Sequence, residues 1–224
     1  MKITLSSFLS GQMRDQEESG ANHPLTSSVI LNHVFWIVGH YVDRDIHKFH
    51  DITLPEFSGW KRASQLFKSP EIIVDMNWRN VKQQKVKDCS VIAALIVCAH
   101  YEEMFPRRKP LISQSIYPQN GKGTPVYNSQ GKYGIKLYFN GAERLVFIDD
   151  FLPLDAQGQP LCSRTVHNGE LWVSLFEKAY LKLGCNQGYH LTGSKGVSIF
   201  HVMRLSPWKT SCHSRLLYDP FTGL

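Results

Sequence analysis

The chain has 224 residues, 42% of them hydrophobic and 20% charged, enough to bury one globular core with or without an extension. Five cysteines at irregular spacing, with no Asn-x-Ser/Thr acceptor, exclude the dense disulfide framework of a small secreted scaffold and fit a reducing cytoplasm. The net charge of +6 is dispersed, Arg107-Arg108-Lys109 being the longest basic cluster, so no nucleic-acid stripe is expected; the apolar runs at 29–38 and 91–99 are too short to span a bilayer.

Lys2 followed by Ile3-Thr4-Leu5-Ser6-Ser7-Phe8-Leu9 is a serine-broken imitation of a signal peptide, and the chain is read as non-secreted. Residues 1–53 carry no motif and are assigned to an N-terminal extension of unknown role. Four histidines between His33 and His50 invite a metal reading, but zinc normally takes four well-placed ligands and no cysteine lies near, so they are read as surface or partly buried imidazoles. A domain boundary is expected near Leu54, with Pro70 interrupting any helix in the segment that follows.

The run Lys87-Asp88-Cys89-Ser90-Val91-Ile92-Ala93-Ala94-Leu95 predicts a helix with Asp88 at its N-cap. Val91, Ile92, Leu95, Ile96 and Ala99 recur at helical spacing almost without polar breaks to Met104, so the helix should be buried on most sides and end before Pro106. Cys98 inside it is read as a small core residue. Cys89 differs by position, because a thiolate in the first turn of a helix is favoured by the N–H groups exposed there. Gln83, six residues upstream, can bring a side-chain amide to join the Cys89 N–H in stabilising the oxyanion of an acyl transfer.

Farther on, Asn140-Gly141 supplies the positive φ angles of a tight hairpin between residues 133–139 and 144–149, with Ile135, Leu137 and Phe139 on one face. Asp149-Asp150 could suggest a metal or acid/base dyad, but adjacent strand residues point to opposite faces, and a structural strand-end role is preferred. Residues 170–183 predict an amphipathic helix that packs Trp172 and Phe176 inward, with Glu170 and Lys182 suiting the two ends of its dipole. Cys162, Cys185 and Cys212 have no comparable context and are read as structural or free.

The Asp88-Cys89 segment is followed in order by Ile116-Tyr117-Pro118-Gln119-Asn120, Gly131-Lys132-Tyr133, Ile148-Asp149-Asp150-Phe151-Leu152-Pro153 and Glu170-Leu171-Trp172-Val173-Ser174-Leu175-Phe176-Glu177-Lys178-Ala179-Tyr180. In this arrangement the chain resembles the calpain family of cysteine proteases, in its atypical PalB or calpain-seven branch. The resemblance runs from about Trp60 to Gly193. It implies an α+β, papain-like fold, with residues 54–196 as the nucleophile-bearing first lobe of a calpain core and residues 197–224 as a diverged or truncated tail toward a missing second lobe. It implies a cysteine-type endopeptidase hydrolysing internal peptide bonds through an acyl-enzyme, with Cys89 and Gln83 catalytic and Gly193 lining the substrate cleft, where the absence of a side chain lets a peptide backbone approach.

In the family the catalytic histidine and asparagine come from the second lobe. Only 135 residues follow Cys89, His201 and His213 stand in no recognisable motif, and Ser206-Pro207-Trp208 has serine where Asn-Pro-Trp would need asparagine. Neither role is transferred, and the chain by itself is expected to be inactive. Calcium is implied by the resemblance, yet Asn80 stands where those relatives carry an acid, which weakens a hard-cation site, so no cofactor is assigned. The expected partners are a protein or peptide substrate and a protein able to supply or replace the second lobe. Two other classes stay open: a non-catalytic calpain-derived peptide-binding or interaction protein, and a small transferase using the same Cys/His chemistry, which the downstream motifs disfavour.

Overall fold

The computed structural model describes residues 39–47, 56–139 and 142–185. Its elements in chain order are α1 (Arg44–His47), β1 (Phe57–Arg62), α2 (Ala63–Leu66), β2 (Val81–Lys82), α3 (Cys89–Met104), β3 (Ile116–Tyr117), β4 (Lys132–Phe139), β5 (Ala142–Asp149), β6 (Phe151–Asp155), β7 (Arg164–Thr165) and α4 (Trp172–Cys185). Single 3₁₀ turns form at Trp78–Asn80 and Ser113–Ser115.

The apolar run after Asp88 folds as expected into α3, which ends at Met104 with the Phe105 N–H bonded to the Tyr101 carbonyl, just before Pro106. Val91, Ile92, Leu95, Cys98 and Ala99 are buried, whereas Cys89, Ala93, Val97 and Met104 form an exposed line along the helix. The basic residues Arg107, Arg108 and Lys109 lie in the exposed turn that follows.

β3, β4 and β5 make one antiparallel sheet in that order, with β4 and β5 in register from Lys132↔Asp149 to Phe139↔Ala142. That register closes the hairpin with a two-residue connection at Asn140-Gly141, which lies outside the described residues. Tyr133, Ile135 and Leu137 alternate into the core. β1 pairs with β6 and β2 with β7, each antiparallel. Trp60 sits on β1. The mixture of helices with small antiparallel sheets is α+β.

α4 departs from its expected pattern. Trp172 and Phe176 are fully buried as anticipated, but so is every residue from Trp172 to Leu181, including Glu177 and Lys178. Residues 172–181 are therefore enclosed on all sides even though the sequence has the expected amphipathic period, and their charges are accommodated by pairing. Lys178 donates to Asp149 and to the Phe151 carbonyl, while Lys182 bridges to Asp43 at 2.9 Å. Glu170 lies before the helix and does not serve its dipole; its Oε1 accepts the Val74 and Asp75 N–H groups at 2.6 and 3.1 Å.

Asp149, the last residue of β5, and Asp150, in the bend between β5 and β6, diverge. Asp149 takes Lys178 and lies 3.1 Å from His47 Nε2, whereas Asp150 pairs with Arg62 at 2.6 Å. Residues 39–47 dock against this region: Tyr41 N–H reaches the Gln130 carbonyl, Asp43 N–H the Asp149 carboxylate, and Ile46 is buried. His47 stacks on Trp60 with ring centroids 4.8 Å apart. Among the described residues no helix is long and apolar enough to cross a membrane.

Candidate active site

Cys89 is the first residue of α3 and its thiol is exposed. The other cysteines with described side chains, Cys98 and Cys162, are fully buried, and burial pushes each thiol up to about 12. Position at a helix tip and access to solvent therefore coincide at Cys89 alone among the described cysteines. Cys185's side chain, Cys212, His201, His213 and Gly193 lie outside the described residues.

The loop that delivers Cys89 is tied at several points. β2 fixes its start against β7, Lys85 N–H bonds to the Leu161 carbonyl at 3.2 Å, and Val86 is buried. The Gln83 amide folds back across this loop, donating to the Val86 carbonyl at 2.8 Å and facing Asp88 Oδ1 at 3.4 Å. Gln83 is thus held in the segment leading to the nucleophile, with its amide engaged by that segment's own acceptors.

Asp88 occupies the N-cap position but does not cap. Its side chain makes no hydrogen bond to the helix N–H groups; the Val91 and Ile92 amides bond instead to its main-chain carbonyl at 2.8 and 3.2 Å. The carboxyl turns inward, is fully buried, and meets the carboxyl of Glu177 on α4. Burial raises Asp88 to about 6, and burial together with the Asp88 charge raises Glu177 well above the usual range. Sequence reasoning missed this pair. One sign was available: along the helix Glu177 has Val173 four residues before it and Tyr180 three after, an apolar line on which a carboxyl needs a buried partner.

Asn80 closes the 3₁₀ turn that precedes β2, with its Nδ2 3.1 Å from His167 Nε2 and 3.4 Å from Asp75 Oδ2. Glu170 Oε2 nearby is buried without a partner. One open carboxylate oxygen, an exposed aspartate and a neutral amide fall short of the six to eight oxygens, several of them charged, that calcium takes. Among the described residues these side chains around Asn80 do not by themselves fit that ion, and no chemical step is routed through it.

The family model described as calpain family cysteine protease matches residues 46–200. Calpain-7 of Mus musculus is 45% identical over 177 residues, covering 74% of this chain and 21% of the relative; calpain-7 of Homo sapiens gives the same identity and coverage. The calpain-like protease palB/cpr-8 of Neurospora crassa is 36% identical over 155 residues, 66% of this chain and 16% of its own. The chain thus spans about a fifth of the length of the curated relatives it matches. The exposed helix-tip cysteine lies inside the matched segment, and the α+β architecture agrees with a papain-like fold. The chain belongs to the calpain family of cysteine proteases, in the branch of calpain-7 and the PalB proteins.

Proposed function

We propose that this chain carries the nucleophile lobe of a calpain-like cysteine endopeptidase that acts on protein substrates in the cytoplasm. The observation that supports this most is the exposure of Cys89 at the first residue of α3 while Cys98 and Cys162 are sealed in the core. In the proposed reaction the Cys89 thiolate attacks the peptide carbonyl carbon, and the resulting oxyanion is held by the Cys89 N–H and the Gln83 amide after that amide leaves the Val86 carbonyl. The C–N bond then breaks, the leaving amine takes a proton from a histidine, and water hydrolyses the thioester. Gly193 is assigned to the substrate cleft. In the family the histidine and its asparagine belong to the second lobe, so a partner or further chain bearing that lobe completes the reaction.

Labelling with a peptide-derived thiol electrophile, read by peptide mapping, tests the proposal. Cys89 should label faster than free glutathione and Cys89→Ala should remove the adduct. Labelling of Cys89 no faster than glutathione would sink it. It would favour the second reading, a non-catalytic calpain-derived protein that binds peptides or partners, to which the engaged Gln83 amide is the pointer.

A further inference from the structure

We propose that Glu177 is a positioning residue for Cys89: as a protonated carboxylic acid it donates a hydrogen bond to Asp88, draws that side chain off the helix tip, and fixes the loop that presents the nucleophile. The inference rests on the reading of Cys89 as the nucleophile. The two carboxyls come from elements far apart in the chain, and both are fully buried. Glu177 Oε2 accepts the Ser163 N–H at 2.6 Å and Oε1 the Ser163 hydroxyl at 3.3 Å, while Ser174 Oγ holds the Ser163 carbonyl at 2.7 Å. Glu177 is therefore anchored on its own side by groups that themselves have partners.

Asp88 is not so provided. The donors to its carboxyl are its own main-chain N–H and, at 3.4 Å from Oδ1, the Gln83 amide, and no N–H or hydroxyl donor among the described residues reaches Oδ2, although it is buried. A buried carboxylate oxygen without a donor is strongly disfavoured, and two ionised carboxyls in contact are more so. One proton held between them answers both problems, because a protonated Glu177 is a donor and carries no charge. The other titratable groups facing the pair do not neutralise it: Cys162 is a buried thiol, Cys89 is adjacent to Asp88, and Lys178, next to Glu177, is committed to Asp149 and the Phe151 carbonyl.

This arrangement has a consequence at the nucleophile. An aspartate at an N-cap ordinarily places its carboxylate over the first helix N–H groups. There it would put a negative charge beside the thiolate and cover donors an oxyanion needs. Here Asp88 leaves that position and its carboxyl meets Glu177 instead, so the tip of α3 keeps its partial positive charge for the sulfur and the substrate.

The test uses the full 224-residue chain and two readouts. Infrared difference spectra against Glu177→Gln should reveal a protonated carboxyl at neutral pH that is missing in the variant, and Asp88→Asn should let Glu177 ionise at lower pH. Alkylation of Cys89 by iodoacetamide should stay within roughly threefold of the parent in Glu177→Gln, whose amide still donates to Asp88, and slow roughly tenfold in Glu177→Leu, which cannot. If Glu177→Leu does not fold, the spectra of the parent and of Asp88→Asn still decide. Absence of a protonated carboxyl in the parent, or equal slowing in Gln and Leu variants, overturns the inference while leaving selective Cys89 labelling intact. A protonated carboxyl beside an unreactive Cys89 overturns both this inference and the nucleophile reading.

Discussion

Lys178→Met should destabilise the lobe far more than an ordinary lysine substitution, because the ammonium it removes is buried with Asp149. Lys178 Nζ also donates to the Phe151 carbonyl at 2.6 Å and lies 5.3 Å from the Trp60 ring centroid. Asp149 keeps the Asp43 and Phe151 N–H groups at 2.6 and 3.1 Å after the change, but loses its buried cation. Stranding one member of such a pair costs about 3–5 kcal/mol, a large part of the roughly 5–15 kcal/mol that stabilises a domain.

The pH dependence follows from the direction of the Asp149 shift. Burial alone would raise this acid; the Lys178 ammonium, with His47, overrides burial and holds it well below the usual carboxylate range. A depressed acid contributes stability above its unfolded value of about 4, and that contribution is lost as pH falls through the folded value. In Lys178→Met the ammonium no longer opposes burial, so the folded value of Asp149 rises; the deficit is greatest near neutrality and narrows as pH falls through that raised value toward the depressed value of the parent. Urea unfolding of parent, Lys178→Met, Asp149→Asn and the double variant measures this, and the double variant should recover at least about 2 kcal/mol relative to the sum of the singles. A Lys178→Met deficit under about 1 kcal/mol, or one independent of pH, would refute the assignment of a buried, charge-dependent pair.

Gly131→Ala should lower stability by about 2–4 kcal/mol, because Gly131 has φ +72° and an added Cβ would strike the Arg62 guanidinium and the Asp150 carboxylate; thermal melting reads it. Calcium at about 1 mM should stabilise the chain by no more than about 0.4 kcal/mol if its dissociation constant is millimolar or weaker, whereas Asn80→Asp, which adds a carboxylate beside Asp75, should enlarge the calcium-dependent shift in melting temperature. The 224-residue polypeptide alone should cleave fluorogenic peptides little or not at all, since loss of histidine acid catalysis alone removes about 10²–10⁴-fold in rate; robust cleavage abolished in Cys89→Ala would refute this.

Much of the site was legible locally. The apolar period after Asp88 predicts α3 and hence the helix-tip placement of Cys89, and the Asn-Gly sequence at 140–141 predicts a hairpin whose arms are found paired as β4 and β5. The order of motifs also carried the family, which the match over residues 46–200 supports. Less legible were the partners of charged residues. Asp88 reads as an N-cap because local rules see only the following turn, yet its carboxyl meets an acid on α4. Residues 170–183 read as an amphipathic helix, but Glu177 and Lys178 on it are fully buried.

From its amino-acid order alone the chain determined α3, α4 and the β4–β5 pair to within about two residues at their starts, the apolar faces these turn inward, and which cysteine opens a helix; these follow from backbone preference and periodicity over a few residues. Tertiary structure alone decided that Cys89 reaches solvent while Cys98 and Cys162 do not, that Asp149 lies with Lys178, and that Asp88 faces Glu177. The physical reason is that a charge's environment is set by whatever packs against it, and those groups come from distant parts of the chain, so burial and pairing become defined only when the helices and sheets close on one another.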